Sequence, residues 1–113
     1  MSAALLGSAA LILATAAIHS ILGERRVMSR VRTVDPAVLS PRVQRMLHFT
    51  WHLASVYMVL TAATVAWPES PRMLIRLIGA TYLALGVIAL WKSRGRHVSG
   101  PLFTGAGVLA LIA

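Results

Sequence analysis

The side chains with the clearest potential for chemistry in this 113-residue chain are four histidines and one glutamate. These residues are His19, His48, His52, His97 and Glu24. Imidazole suits zinc, copper, iron and nickel, and a carboxylate can serve as a further ligand. Two axial histidines can alternatively hold a haem between helices. The residue types therefore predict a metal or haem site.

The spacing of His48 and His52 sharpens this prediction. The two are four residues apart, so a helix places both rings on one face. This spacing recurs in zinc and di-iron sites because two imidazoles can share one ion. We expect His48 and His52 to be paired ligands and His19 and His97 to complete the set. Glu24 is expected as a carboxylate ligand or as a partner of one.

Each of these residues also has an ordinary structural interpretation. A histidine is amphipathic and fits the headgroup region, His97 follows Arg-Gly-Arg in a loop, and His19 can bond a backbone group or Ser20. Glu24 can form a surface salt bridge with an arginine, which contributes little to stability. If the imidazoles do share a site, their titration near neutral pH also makes it a candidate proton sensor.

The elements that must position these residues follow from the distribution of charge. Hydrophobic residues make up 58% of the chain and charged residues 12%, against about a quarter in soluble domains. Four segments carry no Asp, Glu, Lys or Arg, namely 2–23, 46–68, 77–91 and 97–113. A helix needs about 20 apolar residues to cross a membrane. The sequence predicts a single all-α domain, an integral membrane antiparallel four-helix bundle in up-down-up-down order.

The expected spans are about 3–24, 44–67, 72–92 and 97–113, with a basic connection over 25–43. Ser40 and Pro41 have the residue types of a helix cap and first helical position, so the second helix should begin there. That helix should stop before Pro68. Residues 2–23 lack a preceding positive charge, so we expect a retained span and not a cleaved signal peptide.

The basic residues predict the orientation. Nine of the eleven lysines and arginines lie in the connections 25–45 and 92–96. The positive-inside rule therefore places the loops 25–43 and 92–97 in the cytoplasm and both termini outside. A plasma (inner) membrane is the expected location. All four histidines then lie toward the cytoplasmic end of the bundle.

Charge and small residues predict the partners. The net charge of +8 sits beside membrane spans, which favours anionic lipid headgroups over nucleic acid. Seams of small residues predict close helix packing, at Gly7, Ala10, Ala14 and Ala17 and at Gly79, Ala80, Ala84 and Gly86. A homo-oligomer or a partner membrane protein is compatible with such faces. The absence of cysteine excludes disulfides and thiolate metal sites.

Three classes of function remain open on the sequence. The first is a protein that binds a metal or haem through the histidines at the cytoplasmic end. The second is a non-catalytic accessory or structural subunit of a larger membrane complex. The third is a small-molecule or ion transporter, because length and span count resemble the small multidrug resistance transporters. That family carries a glutamate deep within its first helix, whereas here the first acidic residue, Glu24, comes at the helix end.

Overall fold

The computed structural model describes residues 2–113, and this part of the chain is helical without strands, as the sequence predicts. The helices are α1 (Ala3–Leu22), α2 (Pro41–Ala66), α3 (Arg72–Ser93) and α4 (Ser99–Ile112). Three helical stretches are long and apolar enough to cross a membrane: Ala3–Val31, Pro41–Ala66 and Arg72–Ser93. The expected fourth span is represented by α4, which has 14 helical residues.

The ends of α2 and α3 follow from local sequence. The Ser40 hydroxyl accepts the Val43 amide at 3.4 Å, and Pro41 occupies the first helical position, as predicted. The helix ends at Ala66, and the extended backbone of the capping residue Trp67 precedes Pro68. At the end of α3, Arg94 adopts a left-handed conformation with φ of 53°. Such a residue satisfies carbonyls of the last turn and stops the helix.

The first helix continues beyond the point where the sequence predicts a loop. After Leu22 it widens into a π-helical turn, Gly23–Met28, and closes with one α-turn, Ser29–Val31. No proline interrupts this stretch, and its arginines and methionine are good helix formers. Met28 is also buried, with 3% of its surface exposed. Part of the expected basic loop 25–43 is therefore helical.

The four helices pack in the spatial order α2, α1, α4, α3, and neighbours run antiparallel. The α3–α4 contact is the most extensive, while α2 and α3 meet only lightly. A Cβ added to Gly107 of α4 would lie 2.5 Å from the Leu83 backbone nitrogen, so these two backbones touch. Gly79 and Gly86 face α4 in the same way, which confirms the predicted seam at these two positions.

The buried stripe of α1 differs from the predicted one. Ala10, Ala14 and Ala17 are exposed, and the buried residues are Ser8, Ala9, Ile12, Thr15 and Ala16. Because α1 lies between α2 and α4, the positions of both neighbours decide which of its faces is covered. The Ser8 hydroxyl, for example, donates to the Ala106 carbonyl of α4 at 2.7 Å.

A hydrophobic core joins all four helices in one half of the molecule. It contains Ala9, Ile12, Ala62, Val65, Tyr82 and Ala106. Thr61 and Tyr82 share a hydrogen bond of 2.6 Å there, which links α2 to α3. We call the other extremity the histidine end; it comprises the end of α1, the start of α2 and residues 94–98.

Candidate metal centre

Three of the five predicted site residues converge at the histidine end. Glu24, His48 and His52 each offer one ligand atom, and these atoms lie within 4.8 Å of one another. Nε2–H of His48 donates to Oε2 of Glu24 at 2.8 Å, and Nε2–H of His52 donates to the same oxygen at 3.0 Å. The two imidazoles are 4.9 Å apart between centroids and nearly perpendicular. We call this group the Glu–His cluster.

The π-helical turn after α1 supplies the carboxylate of the cluster. It begins at Gly23, which is buried against the indole of Trp51. A Cβ at position 23 would lie 1.9 Å from Nε1 of Trp51, so only glycine fits there. Because position 23 has no side chain, the Trp51 ring can contact the backbone there, and this contact sets the distance between α1 and α2. Wide turns of this kind are often found at functional sites, and this one carries Glu24 to the two histidines.

His19 forms part of this helix contact and not of the Glu–His cluster. Its ring stacks on Trp51, with centroids 4.3 Å apart and planes 6° from parallel. Nε1–H of Trp51 donates to the His19 carbonyl at 2.9 Å, and Nε2–H of His19 donates to the Trp51 carbonyl at 3.1 Å. The two residues thus exchange a pair of hydrogen bonds across α1 and α2. We call this arrangement the His19–Trp51 clasp.

Two further side chains orient the cluster. The Ser20 hydroxyl lies 2.7 Å from Nδ1 of His52, and a guanidinium nitrogen of Arg32 donates to Oε1 of Glu24 at 2.7 Å. With Nε2 of His52 carrying its proton toward Glu24, Nδ1 is the acceptor of the Ser20 hydroxyl. Glu24 and His52 are therefore each held by a further side chain, which is how ligand side chains are commonly oriented.

His97 lies outside the Glu–His cluster, in the segment before α4. Its Nδ1 accepts the Ser99 amide at 3.2 Å and the Ser99 hydroxyl at 2.5 Å. These bonds satisfy donors at the start of α4, as a capping side chain does. Of the four histidines predicted to share a site, the structure thus brings together His48 and His52, joined by Glu24. His19 and His97 have other partners.

The cluster is open to its surroundings. The exposed fractions of the side chains are 36% for Glu24, 46% for His48 and 36% for His52. Glu24 accepts hydrogen bonds from Arg32, His48 and His52. Apart from Asp35, the other charged residues of this region are arginines and lysines. An ion bound here would meet one carboxylate oxygen and two imidazole nitrogens, with room left for water or another ligand.

Sequence reasoning missed two residues that position the site: Trp51, and Ser20 as the partner of His52. It expected an arginine beside Glu24 without identifying Arg32. Ser20 was considered only as a partner of His19, because both occur on the first helix. Trp51 precedes His52 in sequence, and its proximity to His19 depends on how α1 and α2 pack. The one available signal was Gly23 at the end of an otherwise good helix, since a glycine inside a helical pattern can indicate a close neighbour.

The fold and the cluster define an all-helical chain with three helices of membrane-spanning length and a group of side chains suited to a metal ion. No family model, curated protein or solved structure matches this chain.

Proposed function

We propose that this chain is an integral membrane protein that binds a divalent transition-metal ion through Glu24, His48 and His52. The observation that carries the proposal is the convergence of three ligand atoms within 4.8 Å. In a tetrahedral site with bonds of about 2.1 Å, ligand atoms lie about 3.4 Å apart. The two Nε2 atoms lie 2.8 and 3.0 Å from Oε2 of Glu24, and no two of the three ligand atoms are more than 4.8 Å apart, so the separations are close to that value.

The donor set determines which ions are suitable. Two imidazoles and one carboxylate suit zinc and ferrous iron, and leave at least one coordination position for water or substrate. To hold an ion through Nε2, the neutral His52 ring would carry its single proton on Nδ1 instead, and Nδ1–H would then donate to the Ser20 hydroxyl. Arg32 occupies Oε1 of Glu24, which leaves Oε2 for the ion. The site is therefore open, and it is suited to a metal-assisted reaction or to transfer of the ion.

The geometry favours a single ion over the haem considered on the sequence. Two axial haem ligands approach the iron from opposite sides. His48 and His52 instead project from the same face of α2 and point their Nε2 atoms at one oxygen. Nε2 of His19, the remaining histidine between α1 and α2, is engaged by the Trp51 carbonyl.

The membrane part of the proposal rests on the surface of the helices. Large apolar side chains are exposed along them, among them Phe49, Leu60, Leu77 and Ile88 at 67%, 55%, 56% and 48%. A bilayer covers such residues without cost. With nine of the eleven basic residues in the connections at the histidine end, we place that end in the cytoplasm and the bundle in a plasma membrane.

Binding of Co²⁺ to the full chain purified in detergent tests the metal site. Co²⁺ reports an imidazole–carboxylate site by its visible absorption, and Zn²⁺ should displace it. We expect His48→Ala, His52→Ala and Glu24→Gln each to weaken binding more than about tenfold. His97→Ala is the matched control, because His97 is an exposed histidine of the same end outside the cluster. Equal Co²⁺ binding by wild type and the His48→Ala/His52→Ala double variant would contradict the proposal.

The absence of cysteine makes the orientation directly testable. Single-cysteine variants Ala37→Cys and Glu69→Cys place a thiol in the α1–α2 connection and in the α2–α3 turn. A membrane-impermeant maleimide added to intact cells should label the Glu69→Cys variant and leave the Ala37→Cys variant unlabelled until the cells are opened. The reverse pattern would invert the orientation, and labelling of both in sealed cells would argue against a membrane-spanning bundle.

A further inference from the structure

A cavity of about 480 Å³ lies at the histidine end, between the His19–Trp51 clasp and residues 96–98. Its size falls within the range of small-molecule sites. The walls combine two kinds of surface. Ile18, Leu22 and Val98 are apolar, whereas Arg26, Arg96 and His97 bring charge and hydrogen-bond donors. The ligands of the Glu–His cluster do not line this cavity.

The two arginines of the cavity have no carboxylate partner among residues 2–113. The ion pairs in this part of the chain all involve Glu24, which is bonded to Arg32, His48 and His52. Asp35 caps its own turn by accepting the Ala37 amide. Both arginines are exposed and border the same cavity, so an anion from outside the chain would find two guanidinium groups free to donate charge-assisted hydrogen bonds.

His97 adds a neutral donor to the same wall. Its Nδ1 accepts from Ser99, so the ring proton resides on Nε2. That nitrogen has no acceptor among residues 2–113. A phosphate can receive charge-assisted bonds from both arginines and a further bond from the histidine. The apolar wall formed by α1 and Val98 is suited to hydrocarbon.

We infer that the cavity binds an anionic phospholipid, with Arg26, Arg96 and His97 on the phosphate and Ile18, Leu22 and Val98 along the first carbons of an acyl chain. This goes beyond the general attraction of basic loops to a charged bilayer, because it assigns a particular set of side chains to one headgroup. It rests on the membrane location proposed above and does not require a bound metal ion. The inference predicts that position, and not the number of arginines, determines lipid retention.

Native mass spectrometry of the full chain in detergent, with phosphatidylglycerol or phosphatidylcholine added, tests the inference. The variant Arg26→Gln/Arg96→Gln removes both charges from the cavity. Its matched control, Arg25→Gln/Arg94→Gln, removes two arginines from the same segments that do not line it. We expect phosphatidylglycerol to be preferred by wild type and by the control. Each cavity arginine should contribute about fivefold to retention.

A second variant and a soluble probe complete the test. Val98→Trp fills the apolar part of the cavity without changing charge, and we expect it to release the lipid as well. Inorganic phosphate should compete only weakly, since it lacks the acyl chain. Equal retention of phosphatidylglycerol by the two arginine double variants would overturn the inference. The inference would also be overturned if wild type retained phosphatidylcholine as well as phosphatidylglycerol. Displacement of bound phosphatidylglycerol by inorganic phosphate at a concentration comparable to that of the lipid would overturn it too.

Discussion

Substitution of Gly23 by alanine tests whether the His19–Trp51 clasp holds the Glu–His cluster together. The added Cβ would lie 1.9 Å from Nε1, 2.4 Å from Cε2 and 2.8 Å from Cζ2 of the Trp51 indole. Restoring ordinary van der Waals contact requires the ring to withdraw by about 1.5 Å. The bond of 2.9 Å between Nε1 and the His19 carbonyl then exceeds hydrogen-bond length.

The magnitude follows from three contributions. Overpacking of this kind costs about 1–3 kcal/mol, and the lost hydrogen bond about 1 kcal/mol. Replacing glycine by alanine within a helix returns about 1 kcal/mol. We expect a net loss of about 1–3 kcal/mol in the free energy of unfolding. Because Glu24 is the next residue along the chain, its carboxylate should also move, and Co²⁺ affinity should fall about tenfold.

Unfolding in mixed detergent micelles and Co²⁺ titration measure the two effects on the same sample. Gly105→Ala is the control, because its Cβ would meet only the flexible end of Leu11, at 3.1 Å. That variant should be as stable as wild type or slightly more so. If Gly23→Ala retained wild-type stability and Co²⁺ affinity, the clasp would have no part in positioning the cluster, and the argument from its geometry would fail.

Three other perturbations have expected outcomes. Gly107→Ala should lower the free energy of unfolding by more than about 3 kcal/mol, because its Cβ would lie 2.5 Å from the Leu83 backbone nitrogen and a backbone atom cannot move away as a side chain can. Wild-type stability of this variant would refute the prediction. Ser8→Ala removes a buried bond of 2.7 Å to the Ala106 carbonyl and should cost about 0.5–1 kcal/mol in the same assay, whereas a stabilised variant would show that bond to be unfavourable. Lowering the pH from about 7.5 to about 5.5 should weaken Co²⁺ binding, because protons compete for the two imidazole nitrogens. Binding independent of pH over this interval would mean that histidines do not hold the ion.

Features set by neighbouring residues were predictable from the sequence. Ser40 and Pro41 mark the start of α2 because a cap and a proline act within one turn. The four-residue spacing likewise places His48 and His52 on a common face. Glu24 was expected nearby because the antiparallel order of the first two helices brings its position close to theirs.

Features set by packing between helices were not predictable in this way. The covered face of α1 depends on two neighbours, and the sequence offered a face of small residues that the structure leaves exposed. The partner of His19 depends on where Trp51 of α2 comes to lie. The extension of α1 through Val31 combines local propensity with burial of Met28, and only the first of these can be judged from the sequence.

The convergence of several donors on one carboxylate makes their contributions inseparable. Once Glu24 is replaced, substitution of Arg32, His48 or His52 removes a partner that is already lost, so its effect should largely disappear. Thermodynamic cycles among these positions should therefore show strong coupling, as expected for residues that share one network. Alanine scanning one residue at a time would count the same carboxylate repeatedly and overestimate the total. Evolution at this end of the molecule should be correspondingly interdependent, with Glu24 the residue whose loss frees the others to vary.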